Sequence, residues 1–228
     1  MTITAPIVET VLKRFGDKTV IAFSGGNCSL VVLHIAIQTD PNVKVVFCDT
    51  TNEYPETYAF IEHVRTKWDL NLITVKPKKT WADCIKEYGP PKETRRHAPP
   101  RCCYYLKEEP ARRIYRENQI ECVLDGIRME ESWQRYCFGK HFGPLHYAKS
   151  WKLWKCHPIL HWISQDVWAY LELNNVPHNP MYDRGIERIG CRGCTGHIGW
   201  EKEVIKHSGL DFYRWLQAKR GQTLLEVK

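Results

Sequence analysis

The stretch "IAFSGGNCSLVVLHIA" (Ile21–Ala36) decides the fold. Its opening apolar residues extend the β-branched run that begins at Thr19, and Ser24, Gly25 and Gly26 then break it. Apolar residues follow at helical spacing from Ser29 onward. A strand that turns through glycines directly into a helix aims backbone N–H groups and the positive helix end at one spot, where an anion is favoured. Ser24, Gly25, Gly26, Asn27 and Ser29 are therefore expected to bind a nucleotide phosphate, with hydroxyls adding donors. A double glycine also suits an ordinary strand-to-helix connection, so its neighbours must decide.

Outward from this turn, "VKVVFCD" (43–49), "LNLITV" (70–75) and "ECVLDG" (121–126) read as further buried strands. Residues 29–38, 55–68 and about 101–118 read as helices between them, Pro55 suiting a first helical position. Strands alternating with helices predict an α/β fold with a parallel, Rossmann-like sheet and ligands at the strands' carboxyl ends. Asp49 and Thr50 end the second strand and are expected to face a ribose or adenine, although Thr51 or Asn52 there would also serve as a helix cap. Gly126, Arg128 and Arg135 follow the fourth strand in "DGIRMEESWQR", where a planar guanidinium fork suits a sulfate or phosphate. Residues 128–155 are aromatic and basic without clear periodicity, and a helix is expected at 164–174. With no long linker, the 228 residues predict a single domain, with a nucleotide-binding core at about 15–130 and a cysteine and substrate segment at about 100–200.

The formal charge of +7 favours anionic partners. Its basic clusters at Lys76–Lys79 and Lys92–His97 sit beside prolines and fit solvated loops equally well. No apolar run is long enough for a membrane span and the N-terminus lacks a signal-peptide pattern, so a cytoplasmic protein without membrane contact is expected. In a reducing compartment ten cysteines point to metal or catalysis before disulfides. Cys102 and Cys103 are adjacent, and Cys191 and Cys194 form a Cys-x-x-Cys knuckle, with Arg101 and Arg192 alongside. Four such thiolates suit either Zn²⁺ or an iron–sulfur cluster, and spacing alone does not separate the two. Cys48, Cys84 and Cys122 read as buried small hydrophobes.

Taken in order, "FSGGNCS", "VVFCDTTNEYPETY", "RCCYYLK", "DGIRMEES", "HPILHWISQDVWAYL" and "VPHNPMYDRGIERIGCRGCT" make the sequence resemble the phosphoadenosine phosphosulfate (PAPS) reductase family. This is a branch of the PP-loop, adenine nucleotide α-hydrolase-like superfamily. The resemblance implies a HUP-type sheet closed by a cysteine-rich C-terminal segment. It implies an adenine nucleotide, ATP or a sulfonucleotide, on Ser24–Ser29 and Asp49, with Arg128 near the anionic end. It also implies a [4Fe–4S] cluster on Cys102, Cys103, Cys191 and Cys194.

Two departures shape the expected reaction. Reductases of the family use a cysteine on a mobile C-terminal tail, whereas no cysteine follows Cys194 here. ATP-splitting relatives carry lysine and aspartate where this loop has Asn27 and Cys28, which removes a charge partner for pyrophosphate and a contact for Mg²⁺, the candidate ion. Cys28 lies at a helix N-terminus, where a thiolate is favoured, and is the candidate nucleophile or sulfur carrier, with Arg128 and Lys155 as catalytic partners. The first expectation is an ATP pyrophosphatase-type sulfurtransferase that thiolates nucleic acid, in the manner of DNA phosphorothioation. The alternative is an adenylyl sulfate or PAPS reductase releasing sulfite, and a second alternative is a non-catalytic cluster-bearing subunit. The expected partners are a DNA or RNA target, a cysteine desulfurase or thiol reductant, and further copies or subunits of a complex.

Overall fold

The computed structural model describes residues 4–91, 101–196 and 199–225. The basic run Lys92–His97 lies outside them. In chain order the elements are α1 (Thr4–Phe15), β1 (Thr19–Ala22), α2 (Asn27–Thr39), β2 (Lys44–Cys48), α3 (Pro55–Lys67), β3 (Leu72–Val75), α4 (Trp81–Tyr88) and α5 (Arg101–Cys103). A π-helical turn (Tyr104–Glu108) leads into α6 (Glu109–Glu117). Then come β4 (Cys122–Leu124), α7 (Trp133–Phe142), β5 (Leu145–Ala148), β6 (Leu153–Cys156), α8 (Ser164–Leu173), α9 (Trp200–Ser208) and α10 (Leu210–Leu225). Among the described residues no helix is long and apolar enough to cross a membrane.

The chain folds as two compact units. The first comprises Met1–Phe47, Glu56–Thr74 and Arg112–Ile189. It holds a six-stranded sheet of order β3-β2-β1-β4-β6-β5. β1 runs parallel to both β2 and β4, and β4 runs parallel to β6. Only β5 is seen antiparallel, pairing with β6 as an edge hairpin. The central strands read as unbroken apolar runs because helices cover both faces, which leaves no solvent side for a polar alternation. α2 is correspondingly apolar nearly all round, burying Leu30, Val31, Val32, Leu33, Ile35, Ala36 and Ile37. α1 buries Val8, Val11, Leu12 and Phe15.

Strand order reverses between β1 and β4, so the chain leaves both strands at the same edge of a crevice. There the backbones nearly touch. A Cβ placed on Gly126 would lie 2.5 Å from the carbonyl carbon of Cys28 and 2.6 Å from the amide nitrogen of Ser29. Gly25, at φ +75, supplies the other required glycine, packing against Thr57 and Ile61 of α3.

The α/β class, the four parallel strands and the helices after them match the sequence expectations within a few residues. The aperiodic stretch 128–155 folds as α7 and the β5–β6 hairpin. Each strand is only four residues long, and β5 at the sheet edge leaves its side chains partly exposed, so neither shows an alternation. α7 exposes Trp133 at 75% and Phe142 at 46%, which blurs its helical period. The expected helix over 101–118 is interrupted by the π turn.

The second unit comprises Cys48–Pro55, Val75–Ala111 and Gly190–Lys228. A reciprocal cap between Thr80 and Asp83 starts α4. Cys84, Cys102 and Leu106 form one small core, and Trp200, Val204 and Leu216 another; Trp81 packs on both. Asn52 and Arg192 bind each other's carbonyls, at 2.5 and 2.7 Å, tying the segment after β2 to the knuckle. Gly193 (φ +69) must remain bare, because a Cβ there would lie 2.4 Å from the Phe212 ring.

Gly126→Ala is expected to destabilise the protein by about 1–3 kcal/mol, because a fixed backbone rather than a movable side chain blocks the new methyl. Urea unfolding would show this as a lower midpoint at unchanged slope, whereas Gly143→Ala, with nothing within 4 Å of the added atom but a positive φ, is strained only through its backbone.

Candidate active site

In the first unit the turn after β1 is internally braced. Ser29 Oγ donates to the Gly26 carbonyl at 2.8 Å and accepts from the Ser24 amide at 3.2 Å. Asn179 Nδ2 donates to the Gly25 carbonyl at 3.2 Å and to Thr57 Oγ1 at 3.1 Å. The Asn27 amide donates to the Tyr182 hydroxyl at 3.1 Å, and burial pushes that phenol up to about 12. The Asn27 side chain is 3% exposed, yet neither its Oδ1 nor its Nδ2 has a hydrogen-bond partner. A buried amide with both ends unpaired is costly unless something else binds there, and a ligand on the turn would pair it.

Arg128 reaches across from β4. Its Nε lies 3.2 Å from Cys28 Sγ, while its Nη groups contact Glu130 (2.6 Å), the Trp162 carbonyl (3.3 Å) and Ser164 Oγ (3.2 Å). Glu130 also accepts from the Ser164 amide at 2.7 Å, so one carboxylate fixes both the arginine and the start of α8. Arg135 pairs with Glu131. Burial and the nearby Arg188 push the Arg135 guanidinium pKa down, while Asp125 and Cys28 oppose that shift. Several guanidinium groups gathered at a helix N-terminus form a field that an anion relieves. Lys155 Nζ lies 4.1 Å over the Trp151 ring.

Asp125, just before Gly126, accepts from the Ile127 amide and lies 2.6 Å from His157 Nδ1. Burial would raise its carboxyl pKa, but the field and hydrogen bond of His157, with help from Lys155, hold it below the ordinary carboxylate range.

In the second unit Asp49 accepts from the Thr51 amide at 2.8 Å and so shapes the turn after β2, where Thr51 takes φ 65. Thr50 is fully buried and donates to Glu53 at 2.7 Å; Glu53 lies 4.0 Å from Cys191 Sγ. All four proposed ligand cysteines belong to this unit. A hydrogen bond with Cys103, then burial, then the fields of Cys103, Cys194 and Cys191 push the Cys102 thiol up. Burial pushes Cys191 up to about 12, against the pull of Lys107. Lys107, on the π turn, is raised in turn, first by Cys191 and also by Glu53, Cys103 and Cys194. Thiols that hinder one another's ionisation lack a central positive charge, which a bound metal supplies. Among the described residues no three Cys, His, Asp or Glu converge as tightly as one metal ion would need. Four thiolates of this kind suit either a single metal ion or an iron–sulfur cluster.

The sequence brought the loop, Arg128 and the cysteine quartet forward. It missed Tyr182 and Asn179, both within the turn-rich "VPHNPMYDRG", together with Asp125–His157 and Lys107. For the first two, the signal was polar residues without periodicity in a segment long enough to fold back.

These features define a nucleotide-binding α/β protein with its site at the reversal of strand order. The chain matches the phosphoadenosine phosphosulfate reductase domain over residues 18–197 and belongs to that family of sulfur-metabolism enzymes. The adenosine 5'-phosphosulfate reductase of Bacillus cytotoxicus is 33% identical over 194 residues, covering 85% of this chain and 80% of that one. The crystal structure of PAPS reductase from Candida auris, a phosphate complex, superposes with a TM-score of 0.65 at 24% identity, covering 83% of this chain and 89% of that one. The U34-tRNA thiolase NcsA of Methanococcus maripaludis with its [4Fe-4S] cluster gives a TM-score of 0.59 at 15% identity, over 98% and 78% of the two chains. These structural likenesses establish the fold. The Bacillus relatives overturn the expectation of ATP-driven thiolation of nucleic acid. They are named as sulfonucleotide reductases, whose substrate is already adenylated and needs no pyrophosphate-releasing step. The missing lysine and aspartate at Asn27 and Cys28 agree with that correction.

A depressed carboxyl stabilises the fold at pH values above its unfolded pKa of about 3.9, and that contribution is lost as the pH falls through the lower folded value. Urea midpoints measured from about pH 7 to about pH 2 should therefore decline more steeply below about pH 4 in the parent protein than in Asp125→Asn, which should also be less stable at neutral pH.

Proposed function

We propose that the protein reduces adenosine 5'-phosphosulfate to sulfite and AMP. The observation that carries this reading is the contact of Arg128 with Cys28, a thiol and a guanidinium meeting at the N-terminus of α2. The relatives support the choice of substrate. The adenylate would lie on Ser24–Ser29, with the unpaired Asn27 amide facing it. The sulfate would meet Arg128 and Arg135, whose planar forks suit its oxygens.

Cys28 is the proposed nucleophile. Its sulfur attacks the sulfate sulfur and forms an S–S bond while the bond from sulfur to the bridging phosphate oxygen breaks. AMP leaves with that electron pair, and the thiol proton goes to solvent. A dithiol reductant then attacks the cysteine sulfur of the S-sulfocysteine. Sulfite leaves, Cys28 returns as thiol, and the reductant departs as disulfide. Arg128 serves both halves, offering its N–H to the sulfur before attack and to the departing oxygens during it. Neither half requires a cationic pyrophosphate clamp.

Cys102, Cys103, Cys191 and Cys194 would hold the [4Fe–4S] cluster. Bound there, it would supply the positive charge that these thiols lack and a redox-capable centre. Lys107 and Glu53 would then set the charge around it.

Anaerobically purified protein given adenosine 5'-phosphosulfate and a dithiol should release sulfite and AMP. The 3'-phosphorylated substrate should react more slowly, and ATP with Mg²⁺ should stay intact. Cys28→Ser should lower sulfite release by about 1000-fold. Cleavage of ATP to AMP and pyrophosphate, without sulfite from either sulfonucleotide, would sink the proposal; full activity in Cys28→Ser would move the attack to another thiol.

Iron analysis provides a separate check. The parent protein should carry about four irons per chain and Cys194→Ser essentially none. Zinc in their place would refute the cluster.

A further inference from the structure

A second cleft lies in the first unit, along the β5–β6 hairpin beside α7. Its volume is about 820 Å³, within the size range of small-molecule sites. Phe138 and Phe142 of α7 and Trp151 of the hairpin turn supply aromatic walls, and Lys149 and Lys155 supply cations; Arg135, which the proposed sulfate site uses, borders the cleft. Among the described residues no carboxylate lines it. The sequence explains this bias, since Ser132–Gln165 holds five Lys and Arg residues but no Asp or Glu.

Two buried ring nitrogens of residues that line the cleft have no hydrogen-bond partner. His157 is 0% exposed and lines the cleft. Its Nδ1 is engaged by Asp125, which leaves Nε2 on the opposite side of the ring without a hydrogen-bond partner. His146, with its ring 5.3 Å from that of His157, has a buried and equally unpaired Nδ1. Leaving two buried ring nitrogens unpaired carries a desolvation penalty unless a ligand pairs them. Asp125 fixes the His157 ring much as a carboxylate orients a ligating or catalytic imidazole, so Nε2 is presented in a set direction.

We propose that this cleft binds a phosphorylated heteroaromatic compound, distinct from the nucleotide on the β1–α2 turn. The ring packs against Phe138 and Phe142, and a ring heteroatom pairs with the histidine nitrogens. The phosphate lies by Lys149 and Lys155. Trp151 already carries cations, with Arg112 at 3.9 Å and Lys155 at 4.1 Å from its ring centre, and closes the basic end of the cleft. Arg112 also donates to the Ser150 carbonyl at 2.6 Å and so holds the hairpin turn in place. The ring chemistry is shared by purine and flavin nucleotides.

Calorimetric titration of the full chain with AMP and, separately, with FMN tests the site and distinguishes the two sources. The cleft variant is Phe142→Ala/Lys149→Glu, both positions lining the cleft and being exposed, so that the buried core is untouched. A purine occupant gives two AMP per chain in the parent protein and one in the variant; a flavin occupant gives one FMN, weakened at least about tenfold in the variant. A single AMP site that disappears in the variant also supports the cleft and counts against nucleotide binding on the β1–α2 turn. No FMN binding together with one AMP site that the variant leaves intact, or binding of either compound that the variant does not change, would overturn the proposal. Sulfite release from adenosine 5'-phosphosulfate, measured in parallel, reports on the reductase reading independently.

Discussion

The close approach of Gly126 to the backbone of Cys28 and Ser29 is the contact on which the first unit's site depends. It closes the space between β1 and β4 where strand order reverses, and so brings the segment after β4 against the start of α2. Arg128, two residues further on, can then reach Cys28. A side chain at position 126 would hold the two backbones apart and carry the guanidinium away from the sulfur. Glu130, Ser164 and the Trp162 carbonyl complete the fixation, so Arg128 is held from three directions before any ligand arrives. Preorganisation of this kind moves the cost of ordering a charged side chain from catalysis to folding.

The two units handle charge in opposite ways. In the first, arginines gather beside a helix N-terminus, with Glu130 and Glu131 as their partners. In the second, thiols gather, and each raises its neighbours' resistance to ionisation, with Lys107 as the balancing cation. One arrangement invites an anion and the other a cationic centre. A reductive sulfur chemistry needs both a place for an oxyanion and sulfurs whose ionisation is controlled.

Much of the first unit was legible in the sequence because buried parallel strands and a glycine turn leave strong local patterns. Ser24–Ser29, Arg128 and the cysteine pairs could be picked out by type and order. The β5–β6 hairpin could not, since four-residue edge strands with half-exposed aromatics carry no period. Tyr182, Asn179 and His157 were invisible for another reason. Their roles come from folding back over 100 residues or more in the first two cases, and from a single carboxylate 32 residues away in the third. The expectation of ATP fails because an absent tail cysteine carries no information about what the loop binds. The uncharged Asn27 and Cys28 were the better guide, as a preactivated substrate does not need their usual replacements.

The second unit is assembled from three separated pieces of chain. Cys103 and Cys191 are roughly ninety residues apart, and most of the first unit lies between them. During synthesis Cys102 and Cys103 leave the ribosome well before Cys191 and Cys194 do. The small core of Trp200, Val204 and Leu216 is completed last of all. The pieces of the second unit can therefore come together only after the last strand of the sheet has been made.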